Sequence, residues 1–358
     1  MSKISTKQIT NIGVIGGGQL GQMSCVAAQK LGFRVVIYSD IIDCPGALVA
    51  DELIVGDYLD EAKLQEFVSK VDVVTCEFEN IPYKAAKIID EFVPICPNPE
   101  ILKIAQNRIV EKTFVNDCGI KTADFKVITS KEDILVGLSA FKKAILKTAT
   151  LGYDGKGQYV LNEGDNIDEI WGEVAGKELI LEKFCPFEFE ISILVARKEN
   201  GEFKVFEPTK NIHKNGILDE SHYPSGASFE VVNKAKERAV KLAQGLELMG
   251  LLCVEFFVLS DGEILVNEIA PRPHNSGHFT MDCANVSQYE QLIRAISHLE
   301  LADVVYERSG YMKNLIGDDV NNISQYEHDD NAIIHLYGKK EVKKGRKMGH
   351  VNILKNNE

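Results

Sequence analysis

Residues 252–269 read LCVEFFVLSDGEILVNEI, two apolar segments that flank a short polar one. Apolar runs on either side of Asp-Gly are typical of a β-hairpin, so we expect two antiparallel strands here. If Asp261 and Gly262 form a two-residue turn, Glu255 lies directly opposite Glu268. Two opposed carboxylates in an apolar ribbon repel each other, and burying them without a partner is costly. The pair therefore predicts a bound cation.

The ligand types in this hairpin indicate which cation it would hold. Carboxylate oxygens without His or Cys favour magnesium, which commonly accompanies a nucleotide polyphosphate. In the alternative interpretation, both acids lie on a solvated face of the hairpin. We favour the metal because Cys253, Phe257 and Val266 are expected on the same face as the two glutamates.

A polar loop follows the hairpin directly. Residues 270–278 read APRPHNSGH, so two prolines, an arginine, two histidines and an asparagine lie beside the predicted metal. His274 and His278 have the spacing of helical zinc ligands, but Pro273 excludes a helix between them and no third ligand is spaced nearby. We therefore interpret the segment as a substrate-contacting loop.

A glycine-rich loop lies upstream of the hairpin. Residues 145–158 read ILKTATLGYDGKGQ, which predicts a strand, a loop with three glycines and a second strand. The backbone N–H groups of such a loop can fold over a polyphosphate, with Lys147 and Lys156 offsetting its charge. The loop is not a Walker motif, which needs G-x-x-x-x-G-K-[ST] before a helix. A hairpin tip with solvated lysines is the alternative, and composition alone favours it.

The first part of the chain alternates strand and helix patterns, which predicts a parallel sheet built from βαβ units. Residues 16–21, GGGQLG, match G-x-G-x-x-G between a predicted strand and helix, and Asp40 follows where a ribose-binding acid would lie. Alone, this pattern is typical of an NAD-dependent oxidoreductase. Any tight turn that approaches a phosphate also selects glycine, so the pattern does not decide the ligand.

Three prolines within residues 94–99 predict a linker after this sheet. Asn98 is expected to cap one helix that ends at Gly119. Beyond that helix, short strand patterns alternate with the helical pattern of residues 233–248 and with the hairpin. The fold class is therefore α/β followed by α+β.

Charge and composition limit the class of partner. The chain has 40 Lys and Arg against 53 Asp and Glu, a net charge of −13, so its surface repels nucleic acid and anionic membranes. One basic cluster exists at residues 337–347, YGKKEVKKGRK, where a phosphorylated substrate can dock; a solvated tail is the alternative. Eight cysteines are scattered singly, and no uncharged apolar run reaches ~18 residues. We expect a soluble cytoplasmic protein with reduced thiols and no membrane span.

In this order, these features resemble the ATP-grasp superfamily: the glycine turn, the Lys147 strand with its GYDGKGQ loop, the opposed glutamates and NEIAPRPHNSGH at residues 267–278. Two further segments resemble the 5-(carboxyamino)imidazole ribonucleotide synthetases of bacterial purine biosynthesis, a family within it. They are the opening IGGGQLGQM at residues 15–23 and the closing YGKKEVKKGRKMGH at residues 337–350. The resemblance covers nearly the whole chain.

The resemblance implies an ATP-grasp fold of α/β and α+β type in three units: an N-terminal Rossmann-like parallel-sheet domain at 1–98, a linker helix and lid subdomain at 99–185, and a C-terminal mixed domain at 186–358. For ATP, it implies phosphate contacts from Arg108 and Lys147, a mobile cover of Gly152, Tyr153, Asp154, Gly155, Lys156, Gly157 and Gln158, an adenine hinge of Glu182, Lys183, Phe184 and Cys185, a ribose contact from Glu190, and His213 near the nucleotide. Two Mg²⁺ ions would be held by Glu255 and Glu268, with Asn267 beside them. A regular strand, however, points Asn267 away from Glu268.

For the acceptor, the resemblance implies a ribonucleotide site with Glu77, Tyr153, Lys339 and Arg346, and catalytic roles for Asp154, Arg272, His274 and Asn275. The implied reaction joins ATP, bicarbonate and 5-aminoimidazole ribonucleotide, and it gives ADP, phosphate and the carboxyamino product through carboxyphosphate. Asp154 would take the proton of the attacking amine. The glycine turn would then face the ribonucleotide rather than NAD, and the protein would be a homodimer.

Three alternatives stay open at this point. Another ATP-grasp enzyme, such as a formate-dependent glycinamide ribonucleotide transformylase or a biotin carboxylase, would use a different acceptor and leave the basic C-terminal segment unexplained. An NAD-dependent oxidoreductase would bind NAD and not ATP. A non-catalytic nucleotide-binding module would leave the opposed glutamates without a purpose.

Overall fold

The computed structural model describes residues 8–150, 152 and 157–355, and the N-terminal part of them forms a parallel sheet. Its strands are β1 (Asn11–Ile15), β2 (Arg34–Ser39), β3 (Glu52–Val55), β4 (Val73–Cys76) and β5 (Ile95–Cys96). The connections contain α1 (Gln19–Lys30), a 3₁₀ turn (Pro45–Leu48), α2 (Glu61–Val68) and α3 (Tyr83–Phe92). The strand order β3-β2-β1-β4-β5 confirms the predicted parallel sheet and matches the first five strands of the Rossmann order 3-2-1-4-5-6.

The proline-rich segment is more than a linker. Ile95 and Cys96 form the edge strand β5, and the hydroxyl of Thr75 donates to the Cys96 carbonyl at 2.8 Å. Prolines are tolerated beside an edge strand because its outer side needs no ladder partner. The linker prediction was therefore wrong for these two residues.

Two helices, not one, follow the proline segment. Asn98 caps α4 (Pro99–Ala105), as predicted. The side chain of Asn107 then caps α5 (Arg108–Asp117), where it accepts two backbone N–H groups at 2.9 and 3.3 Å. An Asn side chain competes for backbone amides, so it starts a new helix where periodicity alone predicts continuity. The break places Arg108 in the first turn of α5.

The second sheet belongs to a small antiparallel unit. Its described strands, in the spatial order β6-β9-β7-β8, are β6 (Phe125–Ile128), β7 (Lys143–Thr148), β8 (Gln158–Asn162) and β9 (Leu179–Lys183). Helices α6 (Lys131–Phe141) and α7 (Asp168–Val174) pack on this sheet. Glu182 of β9 pairs with Ile145 of β7, so Lys147 is its diagonal neighbour on the same face. The pairing brings two predicted nucleotide residues together.

The third sheet is antiparallel and takes up the rest of the described chain. Its strands are β10 (Phe189–Arg197), β11 (Phe203–Val205), β12 (Thr209–Lys214), β13 (Ile217–Tyr223), β14 (Gly250–Val258), β15 (Ile264–Ala270), β16 (Ser309–Ile316), β17 (Ala332–Leu336) and β18 (Lys347–Lys355). They lie in the order β15-β14-β10-β12-β13-β16-β18-β17, and β11 pairs with the outer end of β10. The two glutamate strands, β14 and β15, therefore lie at one end of the sheet.

Helices cover both faces of this sheet. They are α8 (Phe229–Gly245), α9 (Thr280–Cys283) and α10 (Gln288–Ile296), with 3₁₀ turns at Asn275–Gly277 and Gly317–Gln325. Helix α8 packs on one face, whereas α10 packs on the other together with α1, which joins this sheet to the N-terminal one. None of the described helices has both the length and the apolar character needed to cross a membrane.

The turn of the β14–β15 hairpin differs from the prediction. Leu259 donates its N–H to the Glu263 carbonyl at 2.8 Å, and Gly262 has φ +78°. The turn is thus a three-residue loop and not the two-residue turn predicted at Asp261 and Gly262. The longer loop shifts the pairing by one residue. Val266 consequently lies in the core on the other face from the glutamates, which corrects its predicted place.

A β-bulge restores the predicted pairing of the two glutamates. Asn267 is the extra residue, because Phe256 pairs with Val266 while the preceding Glu255 pairs with Glu268. A bulge interrupts the strict alternation of a strand, so neighbouring side chains can reach the same side. Accordingly, the Asn267 amide donates to Glu255 Oε2 at 3.3 Å.

The cap of α5 gives a stability test. Asn107→Ala removes the capping oxygen and should lower the free energy of unfolding by about 1 kcal/mol, whereas Asn107→Ser keeps a capping oxygen and should cost much less. Both variants lose the 2.6 Å hydrogen bond from Asn107 to Glu178, so their difference isolates the cap. Urea unfolding followed by circular dichroism measures it. Equal stability of the two variants would contradict the assignment.

Candidate active site

Glu255 and Glu268 lie opposite each other beside a third ligand-type side chain, His274. One oxygen of each carboxylate and one ring nitrogen of His274 lie within 4.8 Å of one another. Glu255 and His274 are buried, and Glu268 is half-buried. Burial, reinforced by the carboxylates of Glu190 and Glu268, holds the pKa of Glu255 well above its usual range. A cation would compensate this charge, so the residues fit a divalent metal such as Mg²⁺.

His274 is oriented by its neighbours. Its Nδ1 lies 2.8 Å from a serine hydroxyl of the same loop, and its Nε2 lies 3.5 Å from Glu255 Oε1. The backbone N–H of His274 donates to Gln288 Oε1, and its backbone carbonyl accepts from Gln288 Nε2, both at 2.8 Å. These two bonds hold the loop on α10. The His278 ring Nδ1 instead lies 2.9 Å from the Tyr289 hydroxyl and 3.3 Å from Gln288 Nε2, so the two imidazole rings face different side chains.

A buried ion-pair group lies between α5 and the four-stranded sheet β6-β9-β7-β8, which we call the lid sheet after the predicted lid subdomain. Lys147 Nζ is 2.8 Å from Glu182 Oε2, and Lys112 Nζ is 3.5 Å from Glu182 Oε1. Burial raises the pKa of Glu182, but Lys112 and then Lys147 outweigh it and hold the pKa at about 2. Two lysines around one carboxylate leave a net positive charge, which suits an anionic ligand such as a phosphate.

Arg108 lies between the lid sheet and the β14–β15 hairpin. Its Nη1 is 3.5 Å from Glu268 Oε2, its Nη2 donates to the Gly152 carbonyl at 3.0 Å, and its N–H donates to the Ala149 carbonyl at 2.8 Å. Four residues of the predicted cover lie outside the described residues: Tyr153, Asp154, Gly155 and Lys156. Of the cover, the structure describes Gly152, Gly157 and Gln158, and Gln158 pairs with Lys147 across β7 and β8.

Sequence reasoning missed Glu111 and Lys112, which follow Arg108 on α5. Glu111 accepts the Ile269 N–H at 2.5 Å, and Lys112 Nζ donates to the Asn267 carbonyl at 3.2 Å. Burial, then the nearby carboxylate of β15, raises the pKa of Glu111 to about 8. Charged neighbours on a helix normally indicate a solvated face. The signal that could have found them is their i+3 and i+4 spacing from Arg108, which places all three on one face of the helix.

A second polar group lies beside the glutamates. Glu190 Oε1 accepts from the Asn211 amide at 2.9 Å, and His213 Nε2 lies 3.8 Å from the same oxygen. Burial raises the pKa of Glu190 to about 7, against the effect of the Asn211 bond. Strand β10 pairs with both β12 and β14, so the sheet brings Glu190, His213 and Glu255 into one region.

The predicted hinge residues connect the lid sheet to the large sheet. Lys183 is exposed and its Nζ lies 3.3 Å from Asp124 Oδ2, while Lys143 Nζ lies 3.8 Å from the centre of the Phe184 ring. The backbone N–H groups of Lys183 and Phe184 donate to carbonyls of this unit at 2.8 and 3.0 Å. Cys185 is half-buried, and burial raises the pKa of its thiol.

The glycine turn at residues 16–21 binds a carboxylate of the protein itself. Gly18 and Gly21 donate their N–H groups to the Glu77 side chain, the latter at 2.8 Å. Helix α1 begins here, and its N-terminal amides are where the pyrophosphate of a dinucleotide would bind. Because Glu77 occupies these donors, the geometry argues against the NAD-dependent alternative.

Arg272 and Asn275 belong to the loop after β15. Arg272 Nε donates to the Glu79 carboxylate, and its Nη1 donates to the Pro273 carbonyl at 3.0 Å. Burial raises the pKa of Glu79, but Arg272 outweighs it and keeps the pKa below its usual range. Among the described residues, Asn275 Nδ2 and Oδ1 are buried without a hydrogen-bond partner. This side-chain amide is therefore available to a ligand.

Lys339 and Arg346 lie in the loop between β17 and β18. Lys339 Nζ donates to the Lys347 carbonyl at 2.6 Å, and Arg346 Nη1 donates to the Glu341 carbonyl at 3.1 Å. Burial, then the charge of Arg346, lowers the pKa of Lys339 to about 8, while Glu77 acts in the opposite direction. The two cations therefore lie close to each other and to the carboxylate in the glycine turn.

Three family models match the chain in consecutive order. Residues 9–106 match the ribonucleotide synthetase preATP-grasp domain, residues 113–289 the ATP-grasp domain, and residues 310–358 the phosphoribosylaminoimidazole carboxylase C-terminal domain. With the opposed carboxylates and the buried lysines, these matches define an ATP-grasp enzyme.

Similar proteins narrow this class to one family. The chain is 42% identical to the N5-carboxyaminoimidazole ribonucleotide synthase of Brucella melitensis, with 99% of each covered. A solved ADP complex of an N5-carboxyaminoimidazole ribonucleotide synthetase is 41% identical, with a TM-score of 0.95 over 99% of this chain and 95% of that one. A solved N5-carboxyaminoimidazole synthase of Aspergillus clavatus, in complex with ADP and 5-aminoimidazole ribonucleotide, is 27% identical, with a TM-score of 0.90 over 97% and 94%. The chain belongs to the N5-carboxyaminoimidazole ribonucleotide synthase family.

The raised pKa of Glu255 predicts how the stability of the metal-free protein changes with pH. Because the pKa of Glu255 is raised on folding, the unfolded chain loses this proton first, and the folded state loses stability as the pH rises above the ordinary value of 4.5. The melting temperature of Glu255→Gln should therefore gain on that of the wild type as the pH rises from 5 to about 8. Glu300→Gln, at an exposed glutamate, is the matched control. Thermal scans in a chelating buffer measure the difference, and a variant that is less stable at every pH would contradict the burial argument.

Proposed function

We propose that this chain catalyses the ATP-dependent carboxylation of 5-aminoimidazole ribonucleotide with bicarbonate, in purine biosynthesis. The products are ADP, phosphate and N5-carboxyaminoimidazole ribonucleotide. The observation that carries the proposal is the opposed pair Glu255 and Glu268. Arg108 lies 3.5 Å from Glu268, and His274 in the loop after β15 lies 3.5 Å from Glu255. The ligands of the Aspergillus clavatus relative support the choice of substrates.

The nucleotide end of the site is proposed to hold ATP with two Mg²⁺ ions. Arg108 and Lys147 bind phosphates, Glu190 holds the ribose hydroxyls with His213 nearby, and the segment 182–185 contacts adenine. Glu255 and Glu268 hold the metal with Asn267 beside them. Bound Mg²⁺ supplies neutralising charge to the phosphates.

The first chemical step activates bicarbonate, which is a poor electrophile. An oxygen of bicarbonate attacks the γ-phosphorus, and the bond to ADP breaks, which gives carboxyphosphate. Lys147 and Arg108 are fixed cations, so they stabilise charge that develops on the transferring phosphoryl group without reorganising. Carboxyphosphate hydrolyses readily, and the glycine segment 152–158 is proposed to exclude water by covering the site.

The second step transfers the carboxyl group of carboxyphosphate to the ribonucleotide amine: the new N–C bond forms, the C–O bond to phosphate breaks, and phosphate is released. Arg272, His274 and Asn275 are proposed to hold the carboxyl donor, for which the unpartnered Asn275 amide offers a hydrogen-bond donor and acceptor. Asp154 takes the proton of the attacking amine. The ribonucleotide is held by Glu77, Tyr153, Lys339 and Arg346, and the last two bind its phosphate as a point charge and a planar fork.

The wider setting of the enzyme is part of the same proposal. We infer a homodimer in the cytoplasm, from the family resemblance and from the free thiols of all eight cysteines. A glycinamide ribonucleotide transformylase or a biotin carboxylase is the nearest alternative, because both use the ATP-grasp domain with another acceptor. No feature of the described site favours either one over the proposal.

An ADP-release assay tests the function. Release should require Mg²⁺ and bicarbonate and should be stimulated by 5-aminoimidazole ribonucleotide. The control reactions replace the acceptor with glycinamide ribonucleotide and formate, or with biotin and bicarbonate. Equal stimulation by either control pair would transfer the assignment to that alternative.

The basic loop gives a more specific prediction. A charge-assisted hydrogen bond contributes roughly 1.5–3 kcal/mol, so Arg346→Ala should weaken ribonucleotide binding by roughly 10- to 100-fold. ATP binds at the other end of the proposed site, and its affinity should barely change. Isothermal titration with each ligand separately measures both effects. Unchanged affinity for the ribonucleotide would make this loop an ordinary solvated segment.

A further inference from the structure

Behind the opposed glutamates, two consecutive side chains of α5 contact the backbone of β15. We infer that Glu111 and Lys112 are positioning residues, which hold the outer edge of β15 so that Asn267 and Glu268 face the nucleotide and its metal. The inference rests on the proposed function for the nature of the ligand, and on contacts within the chain for the rest.

Strand β15 lies at the end of the nine-stranded sheet. Backbone groups on the outer side of an end strand need partners from elsewhere when they are buried. Two of them meet α5: the Ile269 N–H donates to Glu111 Oε1 at 2.5 Å, and the Asn267 carbonyl accepts from Lys112 Nζ at 3.2 Å. These contacts flank Glu268 on both sides.

The bulge at Asn267 makes this part of β15 irregular. It gives Asn267 and Glu268 their common direction, but a bulge also interrupts the ladder that would otherwise fix a strand. An anchor on each side of Glu268 restores that definition from the opposite edge. Glu111 and Lys112 are 3% and 1% exposed, so both anchors lie in a dry environment where a hydrogen bond is strong.

Lys112 also links the β14–β15 hairpin to the lid sheet. Lys112 Nζ lies 3.2 Å from the Asn267 carbonyl and 3.5 Å from Glu182 Oε1, while Lys147 holds the other oxygen of Glu182. Lys147 is the proposed phosphate ligand. When Lys147 also contacts a phosphate, Lys112 still compensates the buried Glu182, so sharing Lys147 with the nucleotide does not leave that carboxylate unpaired.

Glu111 and Lys112 are unusual residue types for the buried face of a helix. A side chain that faces the core from a helix is normally apolar, and a buried charge costs free energy unless it is paired. The chain nevertheless has a glutamate and a lysine here, and each makes a directed contact with β15. A purely structural role predicts that the two residues affect stability alone. A positioning role predicts in addition that they affect metal-dependent nucleotide binding.

The variants for the test are Lys112→Met, Glu111→Leu and Glu111→Gln. The first two remove the anchors while keeping an unbranched or apolar side chain, whereas glutamine keeps an oxygen for the Ile269 N–H. Lys103→Met, at an exposed lysine of α4, is the matched control. Isothermal titration of full-length protein with ADP, repeated across a Mg²⁺ series, gives the apparent Mg²⁺ affinity and needs no ribonucleotide.

Lys112→Met and Glu111→Leu should each lower the apparent Mg²⁺ affinity by about 10-fold or more, as loss of a group that orients a metal ligand commonly does. Glu111→Gln and Lys103→Met should stay close to the wild type. The inference is overturned if Lys112→Met and Glu111→Leu lower only the melting temperature and keep the wild-type response to Mg²⁺. A wild type that binds Mg²⁺ and ADP but releases no ADP with 5-aminoimidazole ribonucleotide would contradict the proposed function alone.

A second measurement on the unmodified protein covers variants that do not fold. Residue-resolved hydrogen exchange should find the Ile269 amide as protected as the core amides of β14, because Glu111 holds it. Exchange at the rate of an exposed edge amide would also overturn the inference.

Discussion

Two carboxylates face each other inside a β-hairpin, and the rest of the site depends on how their mutual repulsion is compensated. Glu255 and Glu268 are opposed across β14 and β15, where burial keeps the pKa of Glu255 high. Such a pair is stabilised by a bound cation, by nearby positive groups or by a proton on one carboxyl. Arg108 supplies a positive charge 3.5 Å from Glu268, whereas the His274 ring, whose pKa is held well below its usual range by burial and then by Arg272, lies 3.5 Å from Glu255 without adding one. The lid sheet, α5 and the loop after β15 converge here for that reason.

The pairing of the glutamates could be predicted from the sequence, but two errors cancelled. The predicted two-residue turn is a three-residue loop, and the one-residue shift that it causes is reversed by the bulge at Asn267. Turn length and bulges depend on tertiary contacts that a period-two pattern does not contain. The same assumption of regular alternation pointed Asn267 away from Glu268, whereas its side chain contacts Glu255, the residue paired with Glu268.

Other parts of the site show what residue patterns carry and what they leave out. The glycine turn was located from its spacing, yet its donors bind Glu77, a residue remote in sequence. Lys147 was predicted from the glycine-rich loop and Arg108 from the family resemblance, whereas their buried neighbours on α5 look like ordinary solvated charges in the sequence. The helix break at Asn107 was missed because a side-chain cap can override helical periodicity. The roles of individual site residues and the unit boundaries at 98 and 185 stay predictions.

The central claim is that the opposed glutamates form the metal–nucleotide centre of this ATP-grasp enzyme. The most direct measurement is anomalous diffraction at the manganese edge from crystals of the protein grown with ADP and Mn²⁺, which is a close substitute for Mg²⁺. We predict anomalous peaks within coordination distance of Glu255 and Glu268, next to the nucleotide phosphates. Peaks bound elsewhere, or bound nucleotide with no peak at either glutamate, would contradict the account.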